Sequence, residues 1–336
     1  MRAIVQERYG PHREVLHVRD IPSPVPGSRQ VLVRVRATSV HADVWHAVNG
    51  IPYVFRLLGS GLRAPKRQVP GTDLAGEVVQ VGAGASRFVP GDRVFGEITP
   101  TGRWFNASTF AEYAAADETV LAPIPDGLSF EEAAAVPTAA LIALANLRDQ
   151  GRVRSGQRVL VNGAGGAVGV WAVQLAKAFG AEVTAVDAPA KLDVLGDLGA
   201  DHVVDYTRQD VTRLGVRFDL VFDVVSKARF AEVRRVLEPD GTYVLVGYGQ
   251  YGSGHRVLGS IGRMLPLLAI SPLVKQIPGI RPGPSREENW ATIVELLEAG
   301  RIHPVVDERT FPLAQAADAI DYLATGVAKG RVILTV

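Results

Sequence analysis

The rhythm of apolar and polar positions changes near residue 125. Before it, apolar residues follow the two-residue period of strands. The run VLVRVRAT at 31–38 alternates apolar and basic residues, as a strand with one wet face does. Ala3–Gln6, Val15–Val18, Val31–Ala37, Thr72–Val81, Arg93–Gly96 and Phe110–Ala114 are expected strands. Pro22, Pro24, Pro26 and Gly27 break the chain between them, and Pro90-Gly91-Asp92 reads as a turn. After it, strands alternate with helices. Ser129–Leu147 is expected to be helical, started by a Ser129/Glu132 capping box and kinked or divided at Pro137. Strands are expected at 158–161, 182–186, His202–Asp205, Asp219–Asp223 and Thr242–Gly247, with helices at Val170–Phe179, Lys191–Leu198 and Phe230–Leu237. That alternation implies a parallel, doubly wound sheet. Residues 248–287 are rich in Gly and Pro and carry no expected element. Helices follow at Arg286–Ala299 and Leu313–Leu323, and a last strand at Arg331–Val336.

Composition narrows the function classes. Of 336 residues 47% are hydrophobic, enough for two domains with cores of their own. A formal net charge of +1 gives no reason to expect nucleic acid or an anionic membrane as partner. Leu265–Leu273 is apolar but short and holds Pro266 and Pro272, so no membrane span is expected. The first residues lack the apolar core of a signal peptide, and a cytoplasmic location is the expectation. There is no cysteine, which removes disulfides, thiolate catalysis and cysteine-ligated metal together.

The stretch Arg158 to Asp187 carries the clearest chemistry. A buried strand leads into Asn162–Gly169, where Gly163, Gly166 and Gly169 recur every third residue with Gly165 between them. In a dinucleotide-binding turn the first glycine allows the tight turn, the second lets the backbone approach a pyrophosphate, and the third packs helix on strand. The N–H groups of Ala167, Val168 and Gly169 then open a helix whose dipole favours phosphate. Asp187 ends the second strand, where such folds place an acid for the ribose. The bland alternative is a tight βαβ turn with no ligand.

Several motifs in order resemble the medium-chain dehydrogenase/reductase superfamily, in its zinc-independent, quinone-oxidoreductase-like branch. They are VPGTDLAGEVVQVGAGASRFVPGDRVFGE (69–97), FEEAAAVPTAAL (130–141), GAGGAVGVWAVQLAKAFGAEV (163–183), LGADHVVDY (198–206), FDLVFDVV (218–225) and KGRVILTV (329–336). The resemblance implies an α/β protein with a GroES-like β-rich catalytic domain plus a doubly wound Rossmann domain. The first is expected over residues 1–125, completed by 288–336, and the second, binding NAD(P), over 126–287. It also implies a homodimer paired along a Rossmann sheet edge, with Val332–Val336 as the apolar strand concerned.

The departures from that family matter as much. Zinc-dependent members hold zinc through cysteine, a histidine in Gly-His-Glu, and a further cysteine or acid. Here the motif is Gly71-Thr72-Asp73. His41 and Asp43 supply at most two ligands, and a catalytic site uses three. No zinc is expected. Without a metal an alcohol is hard to activate, whereas a quinone or α,β-unsaturated carbonyl accepts hydride readily. His41, Asp43 and Tyr53 are the catalytic candidates, with Trp45 and His46 beside them in SVHADVWHAVNGIPY; Trp45 reads equally well as core.

The residues pull two ways on the cofactor. Asp187 favours NADH through the ribose hydroxyls. By the resemblance, Lys191, Tyr206 and Arg331 match or lie near residues around the 2′-phosphate of NADPH, and the expectation is NADPH with NADH as alternative. Asp223–Ser226 and Val246, Gly247 and Tyr248 are expected to line the nicotinamide half. Two competing readings share the fold: an alcohol or aldehyde oxidoreductase, and a non-catalytic dinucleotide-binding protein.

Overall fold

The structure is a computed structural model that describes residues 1–99, 106–225, 227–247, 257–259, 261–279 and 281–336. In chain order the strands are β1 (Arg2–Gln6), β2 (Leu16–Asp20), β3 (Gln30–Val40), β4 (Asp73–Val81), β5 (Arg93–Glu97), β6 (Tyr113–Asp117), β7 (Leu121–Pro123), β8 (Arg158–Asn162), β9 (Glu182–Asp187), β10 (His202–Asp205), β11 (Phe218–Asp223), β12 (Leu237–Leu245), β13 (Phe311–Pro312) and β14 (Val332–Thr335). They fall into two compact units. One comprises Met1–Thr138, Gly254–Gly259 and Pro304–Val336; the other comprises Ala139–Ser253 and Ser260–His303.

The first unit is β-rich. Its main sheet runs β13-β14-β3-β4-β5-β7, with β6 also on β3, and β1 and β2 form a separate antiparallel pair. The alternation in VLVRVRAT is realised in β3. Val31, Val33 and Val35 enter a core with Leu74, Val78, Val94 and Leu121, while Arg34 is exposed and Arg36 pairs with Glu77 at 2.9 Å. The helix Phe130–Ala134 starts on both hydrogen bonds of its capping box. Ser129 N–H donates to Glu132 Oε2 at 2.8 Å, and Glu132 N–H donates to Ser129 Oγ at 3.1 Å. This helix packs on β3 and β4, so the β-rich unit reaches past residue 125. At the other end Arg286–Glu298 belongs with the α/β unit, where Arg148 donates to Asn289 Oδ1 at 2.6 Å.

The second unit is a parallel sheet in the order β10-β9-β8-β11-β12. Strand order reverses at β8: β9 and β10 lie on one side, β11 and β12 on the other. That switch point is where a doubly wound sheet opens a crevice beyond the carboxyl ends of its strands. The helix Gly169–Ala178 is buried from Gly169 through Ala176.

Some expected elements differ. The helix after residue 230 stops at Val233, because the chain must enter β12 at Leu237. The helix Ile261–Ile270 forms despite Pro266, since its Leu267 packs against the core of Phe218, Val221 and Tyr243; tertiary burial outweighs the propensity. The final strand corrects the dimer argument. β14 lies inside the β-rich sheet between β13 and β3, so it offers no free edge. Among the described residues no helix is long and apolar enough to cross a membrane.

Candidate active site

In the α/β unit the glycine turn is tied to the second strand by its backbone. Gly163 and Ala164 both donate N–H to the Val186 carbonyl at 3.0 Å, so the turn folds back over β9. Close packing explains Gly169. A Cβ there would lie 2.1 Å from the Gly163 carbonyl oxygen, so only glycine lets the helix start this near the strand. Around Gly166 the nearest such atom would be Gly163 O at 3.6 Å, leaving its backbone open to a ligand. Val170 N–H closes the first helical turn on Gly166 O at 3.0 Å, so Ala167, Val168 and Gly169 form its leading edge.

Asp187 does not stand alone at the end of β9. Its Oδ2 accepts from Gly165 N–H at 2.7 Å and its Oδ1 from Ala188 N–H at 2.7 Å. The carboxylate therefore ties the turn to the strand end. Lys191 is 6% exposed, and its stem lies over Gly165: a Cβ on that glycine would be 2.7 Å from Lys191 Cδ. Tyr206, 47% exposed, follows β10, whose Asp205 pairs in register with Asp187; its N–H donates to Asp187 O at 3.3 Å. Gly165, Asp187 and Tyr206 are thus linked by hydrogen bonds, with the Lys191 stem over Gly165. Lys227, which the sequence reading passed over, sits with its Nζ 5.4 Å from the Tyr206 ring centre.

On the far side of β8 the ends of β11 and β12 are joined through Asp223. It accepts from Asn162 Nδ2 at 2.9 Å, from Val225 N–H at 3.1 Å and from the Tyr243 hydroxyl at 2.9 Å. Burial and the adjacent Asp223 push the Tyr243 hydroxyl well above its usual range, so it stays a proton donor. Val246 N–H donates to Asp223 O at 2.9 Å, which sets Val246 and Gly247 at the same strand ends. Ser226 and Tyr248 lie outside the described residues.

In the β-rich unit the Gly71-Thr72-Asp73 position holds a closed polar network. Asp73 is wholly buried. Its Oδ2 accepts from Ser39 Oγ at 2.7 Å and from Arg331 at 2.9 Å, and its Oδ1 accepts from Thr138 N–H at 3.3 Å and from the Thr138 hydroxyl. Thr72 Oγ donates toward Asp73 Oδ1 at 3.4 Å, and His41 Nε2 lies 2.7 Å from the same hydroxyl. His41 is 5% exposed, with Nδ1 3.6 Å from Asp43 Oδ2. Among the described residues no three His, Asp or Glu side chains are grouped as a metal site requires. Thr72 fills the place of a histidine ligand with a hydroxyl that is already bonded.

Arg331 is a correction. The expectation put it at a cofactor phosphate. The structure buries it to 2% exposure and gives its guanidinium to Asp73. A buried carboxylate needs a paired cation, and this arginine supplies it. Ser39, Thr138 and Arg331 escaped sequence reasoning as a set because they lie on separate elements that meet only in the folded sheet.

The remaining candidates are more scattered. Asp43 is partly exposed in the helix Ala42–Asn49, beside His41. His46 Nδ1 donates to Ile51 O at 2.7 Å, and burial holds its imidazole below the usual range. Trp45 is buried core, edge-on to His46. The Tyr53 ring lies 4.7 Å from the Arg56 guanidinium, which faces Tyr9 at 4.3 Å and donates to Gly50 O at 2.7 Å. Tyr53 is therefore held in an aromatic–arginine stack.

Comparison with known proteins agrees with this architecture. Residues 27–126 match the alcohol dehydrogenase GroES-like domain, and residues 198–334 match a family described as zinc-binding dehydrogenase. The chain is 34% identical to a 2-methylene-furan-3-one reductase of Solanum lycopersicum, over 91% of this chain and 71% of that protein. It is 33% identical to an NADPH-dependent alkenal/one oxidoreductase of Arabidopsis thaliana, over 81% of this chain and 64% of that one. A quinone oxidoreductase structure from Coxiella burnetii superimposes with a TM-score of 0.82 at 26% identity, covering 100% of this chain and 99% of that one.

Proposed function

The chain belongs to the medium-chain dehydrogenase/reductase superfamily, in its quinone-oxidoreductase-like branch, and on that premise we propose that it is a zinc-independent, NADPH-preferring reductase of quinones or α,β-unsaturated carbonyls. The observation that carries the reading is the network at Thr72. The donor set of a catalytic zinc is replaced by hydroxyls and a carboxylate already bonded to one another. Such a site suits an acceptor that is electron-poor without help from a metal.

Gly163, Gly165, Gly166, Ala167, Val168 and Gly169 would hold the pyrophosphate of the dinucleotide, Lys191 and Tyr206 its adenosine end, and Val246 and Gly247 its other half. The close approach at Gly169 and the open backbone at Gly166 fit that group. When bound, the reduced nicotinamide supplies hydride. Asp187 serves the turn by fixing Gly165, which leaves the charge at the adenosine end to Lys191. His41 and Asp43 stand together at the start of the helix Ala42–Asn49. With the Thr72 proton directed to Asp73, His41 Nε2–H donates to Thr72, so Asp43, the more exposed of the two, is the group available to a substrate oxygen. The partner proposed is a small carbonyl or quinone molecule. The strand that suggested a homodimer lies inside a sheet and gives no edge for pairing.

The test is oxidation of NADPH by a panel of quinones, enones, alcohols and aldehydes. Turnover is expected with quinones or enones and not with alcohols. Dinucleotide binding without turnover of any acceptor sinks the reading in favour of a non-catalytic protein.

A further inference from the structure

We propose that Lys227 is a specificity residue for the cofactor, a cation beside Tyr206 that reads the 2′-phosphate of NADPH together with Lys191. The inference rests on the NADPH reading above and adds a residue from the loop after a different strand, β11.

The loop after β11 is fastened to the glycine turn. Val224 N–H donates to Asn162 O at 3.0 Å, and Val225 N–H donates to Asp223 Oδ1 at 3.1 Å. The fit is tight, since a Cβ on Gly163 would lie 2.6 Å from Val225 Cγ2. Two residues beyond Val225 the chain presents Lys227, whose ammonium lies 5.4 Å from the centre of the Tyr206 ring, within cation–π range. Tyr206 is itself held to Asp187 through its N–H, and Asp187 to Gly165. Lys191 thus follows β9 with its stem over Gly165, and Lys227 follows β11 with its ammonium against the half-exposed Tyr206 ring, and the chain of bonds through Asp187 links the two.

Charge decides what belongs there. The carboxylates nearby are already engaged: Asp187 accepts two backbone N–H groups, Asp205 accepts from Thr207, and Asp223 accepts from Asn162, Val225 and Tyr243. Among the described residues no carboxylate pairs with Lys227; its recorded contact is the tyrosine ring. A neutral ribose hydroxyl gives a second ammonium no charge to meet. A phosphate dianion does, and three acceptor oxygens can take hydrogen bonds from two ammonium groups at once.

The test compares two ligands that differ only by that group, adenosine 2′,5′-bisphosphate and adenosine 5′-monophosphate, by titration calorimetry on the wild type, Lys227→Ala and Lys227→Arg. Lys227→Ala is expected to weaken the bisphosphate about fivefold, a charge-assisted contact reduced by solvent, and to leave the monophosphate within about twofold. Lys227→Arg keeps most of the bisphosphate affinity. A wild type that binds both nucleotides equally overturns the NADPH reading and this inference with it. A wild type that prefers the bisphosphate, with Lys227→Ala preserving that preference, overturns this inference alone. Equal loss of both ligands also overturns it, because Lys227 would then act on the part they share.

Discussion

The glycine turn of the α/β unit and the Thr72 network of the β-rich unit solve opposite problems. The turn keeps space open: a Cβ on Gly166 would meet nothing closer than 3.6 Å, and backbone N–H groups lead the helix that follows. The network closes space: Asp73 is wholly buried and takes hydrogen bonds from Ser39, Thr72, Thr138 and Arg331. One region is shaped to receive a ligand. The other is shaped so that its own groups satisfy one another where relatives of the zinc type hold a metal. On the proposed function, recognition rests on backbone geometry and the loss of metal chemistry on side-chain replacement.

The largest expected effect comes from opening the closed region. Asp73→Ala leaves Arg331 as an unpaired buried cation and is expected to cost about 3–5 kcal/mol of stability, read from denaturant unfolding. Combining it with Arg331→Met should recover part of that loss, since both charges are then gone. Additive losses in the double variant would show that the two residues do not act as a pair.

Next comes filling the open region. Gly169→Ala places a methyl 2.1 Å from the Gly163 carbonyl oxygen, so helix or strand must move, at about 1–3 kcal/mol. Nucleotide affinity should fall with stability in this variant, because the turn proposed to hold the pyrophosphate moves too. An unaltered unfolding midpoint would contradict the close approach.

Lys191→Ala tests charge within the turn region while leaving the fold in place. NADPH affinity is expected to drop about tenfold with NADH nearly unchanged, as for loss of one charge-assisted phosphate contact. Fluorescence titration of the bound nicotinamide checks this. Loss of NADH and NADPH alike would assign Lys191 to packing over Gly165 instead. The smallest effect lies outside both regions: Ser129→Ala removes one half of a capping box and should cost about 1 kcal/mol, measured by the same unfolding curves.

How legible each region was in the sequence follows from how far apart its residues lie. Gly163, Gly165, Gly166 and Gly169 act through local backbone, and Asp187 and Lys191 arrive on the next strand and turn, so one short stretch carried most of the site. The capping box at Ser129 and Glu132 was equally local and forms as read. The Thr72 network draws on β3, β4, β14 and Thr138, and nothing in the spacing of those residues says that they meet. Arg331 shows the cost of that blindness. A basic residue near the end of the chain was assigned to a phosphate, whereas the antiparallel pairing of β14 with β3 brings it to a buried carboxylate. Lys227 was missed for the same reason, since β11 adjoins β8 only in the folded sheet.

The central claim is that reduction proceeds here without zinc, and one measurement addresses it directly. Purified protein is analysed for metal, treated with a strong chelator, and assayed for NADPH oxidation with an enone or quinone before and after treatment. The account predicts far less than one zinc per chain and an unchanged rate. About one zinc per chain, with activity lost to the chelator and restored by zinc, would contradict it.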